Sequence, residues 1–552
     1  MKNPTSLPTC SAVTLINCRV PMRDGISLAA DVYLNPDDPF DPRPVMLSFS
    51  PYGATATRKS YNIDLIRKRG YHCVEADCRG RFNSDGVMVP WTPLLAQDAY
   101  DLLEWISSQP WCNGNVVTVG GSYPGNTQLA CLRSGHPALK ACAPSAVTLN
   151  PYPIYYANGA IVLKFVSSWH IGVANRTAAP KGSPSFEEAI QTFPLSTVPE
   201  RMHLNGDSWL EVLRNPGLTR FWKDRIDLQH LAKSQAGVFY QGSWYDMLGC
   251  DVFETFKALC EEVAPENAAS GRQYSVLRVG PWGHGVNTPE GEIDFGKVAM
   301  VTEDPEIDFL DSLVAGRAPQ SATAPTRMQI FTMGRNAWRY ISDWPLPETK
   351  YTKFYLGDKA VTTEPPAAAD ASDTFDYDPL NPVPTCGGRI VGGGGQRDQT
   401  EIEKRDDVLV YTGDVLEKEL EVTGRISAVL YIASSAPDTD FTVKLVDVYP
   451  DGRPFSVCDG IMRARFRNGL DKPERLMTPG EHVKLEFLVD ITSYAFQPGH
   501  RIRFEISSSN FPHFSRNTNT GHDIADDTET VTAHQTVFRS AAEPSHIILP
   551  VI

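Results

Sequence analysis

Ser122 lies between a strand-like and a helix-like segment and has glycines close by. Residues 116–119 are apolar and β-branched, Gly120 and Gly121 precede the serine, and residues 126–132 resume as a helix pattern. A strand that turns this tightly into a helix strains the backbone at the turn and leaves room only for small neighbours. The pattern predicts a nucleophile elbow that presents the Ser122 hydroxyl at the end of a sheet.

The elbow departs from the common Gly-x-Ser-x-Gly form. Pro124 stands two residues after the serine, and the glycine follows one place later, at Gly125. A serine between glycines after a strand is also a frequent turn, so this segment alone leaves both interpretations open. The decision depends on whether an acid and a base follow in the chain.

Two downstream segments supply such residues. Residues 237–243 form a strand pattern that is followed by Asp246, and residues 274–280 form another that leads into a Gly/Pro-rich loop with His284. An aspartate after a strand is often only a turn residue or cap. The order serine, acid, histidine is nevertheless that of α/β-hydrolases, whose sites lie at the carboxyl ends of parallel strands. Of twelve histidines, only His284 follows a strand pattern in a glycine-flanked loop after such an acid. We therefore predict that Ser122, Asp246 and His284 form a catalytic triad.

The composition limits the classes of function. At 552 residues the chain exceeds one compact core, so several domains are expected. The net charge of −15 argues against nucleic acid or an anionic membrane surface as a partner. No apolar run approaches the ~18–20 residues of a membrane span. Residues 1–8 lack the apolar core of a signal peptide, so we expect a cytoplasmic protein.

The cysteines and acidic residues do not indicate a metal site. The eleven cysteines are scattered, odd in number and without a C-x-x-C pair. This pattern favours free thiols in a reducing compartment. We interpret the C-terminal acids as a solvated loop; they are Asp523, Asp526, Asp527 and Glu529. The predicted chemistry requires no cofactor and no metal.

The pattern of strands and helices changes along the chain. Up to about residue 146, apolar strand patterns alternate with helix patterns, which indicates an α/β fold with a mainly parallel sheet. The strand pattern disappears over residues 147–235, where helix-like segments contain many aromatic residues, and it returns over residues 236–345. From residue 346 to 552, short alternating strands with turns suggest an antiparallel sandwich.

Further segments along nearly the whole chain match one family. They are residues 21–25, 31–33, 50–52, 77–80, 84–86, 101–106, 109–111, 242–246, 281–284, 434–441, 459–463 and 498–502. With these segments and the variant elbow, the sequence resembles the family of cocaine esterase, α-amino-acid ester hydrolase and X-prolyl dipeptidyl aminopeptidase. The resemblance implies an α/β-hydrolase fold in two parts, 1–146 and 236–345. It also implies an inserted helical cap over residues 147–235 and a C-terminal all-β jelly-roll domain over residues 346–552.

The resemblance also implies roles for single residues. Ser122 would accept the acyl group, His284 would act as general base and then general acid, and Asp246 would orient the imidazole. The oxyanion hole would combine the phenol of Tyr52 with the backbone N–H of Tyr123. Alternatively, Tyr52 is an aromatic residue that merely packs beside a turn. From the cap, Phe165 and Trp169 are candidates for the substrate pocket.

The substrate class follows from a difference within the family. Family members that select an α-amino group have acidic residues shortly after the catalytic aspartate, and here Met247, Leu248 and Gly249 occupy those places. We therefore predict a serine carboxylesterase of the cocaine-esterase type that acts on a bulky or aromatic acyl ester.

Two other functions stay open at this point. An acyltransferase or an amidase or peptidase would use the same triad. A non-catalytic binding protein would instead depend on the jelly roll, a fold that also serves in lectins. The expected partner is a small-molecule ester or amide, with neither nucleic acid nor membrane, and a homodimer is left open.

Overall fold

The computed structural model describes residues 14–37, 39–53, 63–176, 178–225, 234–261, 271–301, 304–324 and 326–552. The first part alternates strands and helices: β1 (Thr14–Pro21), β2 (Ser27–Tyr33), β3 (Arg43–Ser50), α1 (Ile63–Lys68), β4 (His72–Asp77), α2 (Leu94–Ser107), β5 (Cys112–Gly121), α3 (Tyr123–Ser134) and β6 (Leu139–Ser145). In α2, Leu95, Ala99, Leu102 and Ile106 are buried at helical spacing. This apolar face explains why the segment forms a helix against the sheet.

Short helices and one hairpin follow. They are α4 (Tyr152–Tyr155), β7 (Tyr156–Ala157), β8 (Ala160–Ile161), α5 (Lys164–Ala174), α6 (Phe186–Ala189), α7 (Val198–Arg201), α8 (Asp207–Leu213) and α9 (Arg220–Lys223). The prediction that strands disappear here is wrong for β7 and β8, which pair antiparallel. Asn158 and Gly159 between them have φ values of 44° and 85°. An Asn-Gly pair is the usual two-residue hairpin turn because both residues tolerate positive φ.

The alternation resumes with β9 (Gly237–Ser243), α10 (Val252–Glu261), β10 (Val276–Gly280), α11 (Pro305–Val314), β11 (Met328–Thr332) and β12 (Ala337–Ile341). Within the described ranges, one sheet has the order β1-β2-β4-β3-β5-β6-β9-β10-β11-β12. The pairs from β4 to β11 are parallel, and antiparallel pairs flank them. The α/β part of the prediction is confirmed. The carboxyl ends of β3, β5, β9 and β10 therefore share one edge of the sheet.

The C-terminal part consists of strands and turns. The strands are β13 (Lys350–Leu356), β14 (Val361–Thr362), β15 (Ser372–Tyr377), β16 (Leu409–Thr412), β17 (Leu420–Ser434), β18 (Asp440–Val448), β19 (Pro454–Arg463), β20 (Val483–Phe496), β21 (Arg501–Ser507), β22 (Ala533–Phe538) and β23 (His546–Val551). They form a seven-stranded and a four-stranded sheet, the latter in the order β16-β21-β18-β19. The pairs between these strands are antiparallel.

Two apolar cores hold these parts together. One extends from the parallel sheet into the C-terminal strands. The other joins the helical segment to the chain after β9, since Tyr155, Trp209 and Trp222 cluster with Met247 and Leu248. Most of the aromatic residues of the helical segment are thus core residues, and that core lies against the end of the sheet.

Several whole-chain expectations can be compared with the described residues. The cysteines among them are free thiols. None of the helices described is both long and apolar enough to cross a bilayer. Across the same ranges, no group of three or more His, Cys, Asp or Glu side chains could hold a metal ion. The interpretation of residues 523–529 as solvated is wrong for Asp527, which is buried and accepts hydrogen bonds from the hydroxyls of Thr518 and Thr520.

Candidate active site

Ser122 stands at a strained turn between β5 and α3. Its backbone has φ 63° and ψ −135°, and its N–H donates to the carbonyl of Ser145 at 2.9 Å. A Cβ on Gly121 would lie 2.7 Å from Ser145 Oγ, and one on Gly125 would lie 2.2 Å from Val147 Cγ1. Position 125, rather than 124, lies against the segment after β6. This elbow therefore needs its glycine one place later than the common form does.

Backbone hydrogen bonds join the acid and base loops. We call residues 244–251 the acid loop and residues 281–290 the base loop. Ser243 and Gly280, the last residues of β9 and β10, are register partners. Trp244 N–H then donates to the Gly280 carbonyl at 2.9 Å, and Tyr245 N–H donates to the Trp282 carbonyl at 3.0 Å. The two loops leave the sheet side by side, and this brings Asp246 to His284.

Asp246 and His284 form a hydrogen-bonded pair. His284 Nδ1 lies 2.9 Å from Asp246 Oδ1, which also accepts the Leu248 N–H at 3.1 Å. The Asp246 side chain is fully buried, whereas that of His284 is 15% exposed. Because the carboxylate accepts a hydrogen bond from Nδ1–H, the neutral imidazole keeps its proton on Nδ1 and leaves Nε2 as a base.

Opposing effects set the pKa of His284. Burial lowers this pKa, but the charge of Asp246, the hydrogen bond to it and the charge of Glu290 outweigh burial, so the pKa lies above its ordinary value. The Glu290 carboxylate is held in the base loop, where it accepts the Gly394 N–H at 3.0 Å. Both negative groups favour the imidazolium form that a general base reaches after it takes a proton.

Tyr52 lies directly beside the nucleophile. It follows β3, and its hydroxyl lies near the Ser122 side chain and the Tyr123 backbone N–H, both of which lower its pKa. The hydroxyl also accepts the indole N–H of Trp169 at 2.9 Å. Burial raises the pKa of Tyr52 more than these contacts lower it, so the phenol keeps its proton at neutral pH. The predicted oxyanion donors, the Tyr52 hydroxyl and the Tyr123 N–H, thus lie together at Ser122.

A small cavity opens at Ser122. Its volume is about 20 Å³, and its lining residues are Trp91, Ser122, Tyr123, Asn126, Ile154, Phe165, Val166, Trp169, Met247 and Leu248. Phe165 also packs against the imidazole of His284, with ring centroids 5.7 Å apart. Both predicted cap residues, Phe165 and Trp169, therefore lie at the cavity. A space of this size holds about one water molecule, so a bulky acyl group requires side-chain movement.

Sequence reasoning missed residues at the site. Arg389, from the C-terminal part, donates to the Asp246 carbonyl at 3.3 Å and pairs with Asp490 at 2.8 Å. No local pattern distinguishes Arg389, since its contacts are distant in sequence. Trp91 was also missed. Asn126 lies four residues after Ser122 on a predicted helix, so helical spacing could have identified it.

The arrangement is suited to acyl transfer. A strained serine lies beside two hydrogen-bond donors, and a buried carboxylate holds the imidazole of the neighbouring loop. A serine in such a setting can attack a carbonyl group without the help of a resident metal ion.

The comparisons with known sequences point to one family. Residues 24–286 match the family model of X-Pro dipeptidyl-peptidase (S15 family), and residues 321–548 match that of the X-Pro dipeptidyl-peptidase C-terminal non-catalytic domain. The chain is 37% identical to the cocaine esterase of Rhodococcus sp. (strain MB1 Bresler). That alignment covers 97% of this chain and 98% of the esterase.

Solved structures share the whole fold. An aminopeptidase from a marine sediment archaeon, Thaumarchaeota archaeon, superimposes with a TM-score of 0.84 at 24% identity. An α-amino acid ester hydrolase superimposes with a TM-score of 0.81 at 23% identity. Each similarity covers 100% of this chain and 98% of the other chain. The α/β core and the C-terminal non-catalytic part are thus features of the shared fold.

Proposed function

The chain belongs to the family of cocaine esterase and the S15 X-Pro dipeptidyl-peptidases and is a serine esterase, and from this premise we propose that Ser122 forms a covalent acyl-enzyme with a carboxylic ester. The preferred acyl group is bulky or aromatic. The observation that supports this most strongly is the hydrogen bond of 2.9 Å between the buried Asp246 carboxylate and His284 Nδ1, together with the strained backbone of Ser122.

The mechanism begins with proton transfer. His284 Nε2 takes the Ser122 proton while the serine oxygen attacks the ester carbonyl carbon. Asp246 holds Nδ1–H and stabilises the imidazolium that forms. The carbonyl oxygen becomes an oxyanion and accepts hydrogen bonds from the Tyr52 hydroxyl and the Tyr123 N–H.

The same groups complete the reaction. The tetrahedral intermediate collapses, the bond to the leaving oxygen breaks, and the imidazolium proton passes to that oxygen. Water then gives a proton to His284 and attacks the acyl-enzyme carbonyl. A second collapse returns the proton to Ser122 and releases the carboxylic acid.

The cavity lining favours an uncharged acyl group. Met247 and Leu248 are buried at 6% and 5% exposure and line the space beside Ser122. Among the described lining residues there is no carboxylate that could pair with an α-amino group. A charged ammonium would therefore lose hydration there without gaining a partner. This supports an esterase with neutral substrates over an aminopeptidase.

The finer architecture is part of the proposal. We assign residues 1–146 and 236–345 to the hydrolase domain, residues 147–235 to a helical cap and residues 346–552 to a jelly roll. The contacts of Trp169 with Tyr52 and of Phe165 with His284 support a cap that encloses the site. Strands β11 and β12 belong to the same sheet as the parallel strands, which supports a domain boundary after residue 345. A cytoplasmic location is proposed from the free cysteines.

A burst experiment tests the function. Wild-type protein is mixed with p-nitrophenyl esters of graded acyl size, p-nitrophenol release is followed, and quenched protein is analysed by intact mass. We expect a burst of p-nitrophenol and an added acyl mass. Ser122→Ala should show neither. Ser134→Ala, at the other end of the same helix, is the matched control and should behave as the wild type. An equal burst in Ser122→Ala, or turnover with no acyl adduct at Ser122, would contradict the mechanism.

A further inference from the structure

Two residues that line the Ser122 cavity each have a buried nitrogen atom without a hydrogen-bond partner. Within the described part of the chain, Trp91 Nε1 and Asn126 Nδ2 are inaccessible to solvent and unpaired. Both residues line the cavity that also contains Ser122. Buried donors without partners are rare because each has lost its hydration without compensation. Two of them at one small cavity indicate a partner that arrives with the substrate.

Asn126 is held in a fixed relation to the nucleophile. It lies in the first turn of α3, where its backbone N–H donates to the Ser122 carbonyl at 3.1 Å. Its side chain is buried at 5% exposure, and the spacing of four residues puts it on the same helix face as Ser122. An apolar side chain of this size would avoid the cost of burying an amide.

Trp91 is oriented by the aromatic rings around it. Its ring lies 5.2 Å from Tyr123, 5.5 Å from Tyr155 and 5.1 Å from Trp169, measured between centroids. The Trp91 backbone has a positive φ of 53°, which is costly for a bulky residue and is typical of functional sites. An indole N–H donates hydrogen bonds and never accepts them. The missing partner is therefore an acceptor.

The position of His284 indicates which half of the ester reaches this cavity. The leaving oxygen takes its proton from the imidazole, so the alcohol half departs on the His284 side. The described cavity lining includes Ser122 and Tyr123 but not His284. The cavity therefore lies on the acyl side of the scissile bond, and an acyl group enters it when the lining side chains move.

We propose that Trp91 and Asn126 form a hydrogen-bonding subsite for an acceptor oxygen in the acyl group. The favoured substrates are esters whose acyl chain contains an ether or carbonyl oxygen in addition to the scissile ester. A hydrocarbon chain at the same place displaces water and leaves both donors unpaired, which disfavours it. The cavity volume of about 20 Å³ suits a single oxygen-sized group. This inference rests on the proposed esterase function.

Matched ester pairs test the subsite. Each pair of p-nitrophenyl esters differs by one O-for-CH₂ exchange: methoxyacetate with butanoate, 3-methoxypropanoate with pentanoate, and 4-methoxybutanoate with hexanoate. The readout is the ratio of kcat/KM for the ether to kcat/KM for the hydrocarbon, divided by the ratio of their hydroxide hydrolysis rates. We expect a corrected ratio of about fivefold or more at one chain position, as one or two net hydrogen bonds would produce.

The variants Trp91→Phe and Asn126→Leu should each bring that ratio towards one. A ratio cancels any loss of turnover that both esters share. Ser134→Ala, at the far end of α3 and outside the described cavity lining, should keep the wild-type preference. A wild-type ratio near one for all three pairs would overturn the subsite, as would an unchanged ratio in both variants. Absence of Ser122-dependent turnover with every ester would instead overturn the esterase function and the subsite together.

Discussion

The indole N–H of Trp169 donates a hydrogen bond of 2.9 Å to the hydroxyl of Tyr52. This bond connects α5, in the helical segment, to the end of β3 in the parallel sheet. Because the phenol oxygen accepts a bond from the indole, its own O–H remains available to donate. The helical segment therefore holds the phenol that we propose as an oxyanion donor.

A double-mutant cycle measures this relationship. Tyr52→Phe should lower kcat about 10²-fold by removing one oxyanion donor. Trp169→Phe should lower kcat less, about 3- to 10-fold, because it only loosens the phenol. In the Tyr52→Phe background, Trp169→Phe should cause no further loss of kcat, since no hydroxyl is left to orient. Fully additive losses in the double variant would show that Trp169 acts independently of Tyr52.

Asp246→Asn should leave the protein folded and nearly inactive, with kcat reduced about 10³- to 10⁴-fold, because the imidazole tautomer is no longer held. Steady-state kinetics and circular dichroism check the two parts of this expectation. Asp251→Asn is the matched control in the same loop. Burial raises the pKa of Asp251 to about 7, so an uncharged amide there resembles the protonated carboxyl and should cost much less activity. Equal losses in the two variants would argue against Asp246 as the orienting acid.

The activity should depend on pH through His284. As the proposed general base, His284 must be neutral, and its pKa lies above the ordinary value of 6.5. The value of kcat/KM should therefore rise with pH through a midpoint above 6.5. Glu290→Gln removes a charge that raises this pKa, so the midpoint should move to lower pH by a fraction of a unit. Glu292→Gln, beside Arg397, should leave the midpoint in place. A midpoint that rises in Glu290→Gln would contradict the assignment.

The Arg389–Asp490 pair should be important for stability. Arg389→Met leaves the Asp490 carboxylate buried without its cation and should reduce the free energy of unfolding by about 3–5 kcal/mol. Burial already raises the pKa of Asp490 to about 6, and loss of Arg389 raises it further. A raised folded-state pKa costs stability as pH increases, so urea unfolding should show a larger deficit at pH 8 than at pH 5. Asp490→Asn added to Arg389→Met should recover part of the loss; no recovery would mean that the deficit has another origin.

The sequence predicted the α/β core because hydrophobic periodicity is local. The apolar runs before Ser122, Asp246 and His284 are strands β5, β9 and β10, and the three residues follow those strands as expected. The hairpin of β7 and β8 was also readable from Asn158 and Gly159, although the prediction overlooked it. Turn chemistry of this kind depends only on neighbouring residues.

Contacts between distant segments were not predictable in this way. Arg389 contacts the acid loop, Trp169 contacts Tyr52, and Trp91 shares a cavity with Asn126. Each pair joins elements whose order in the chain does not indicate their distance in space. No local pattern marks these residues as neighbours.

Residue types, their periodicity and their order along the chain were sufficient for the α/β core and for proposing the candidate triad, because strand ends and glycine turns are encoded locally. Three features emerged only from the folded chain. They are the backbone hydrogen bonds of Trp244 and Tyr245 to the end of β10 and the loop after it, the orientation of the Tyr52 phenol, and the unpaired nitrogens of Trp91 and Asn126. These features depend on side-chain packing and on which polar atoms burial leaves without partners, and both are properties of the whole molecule.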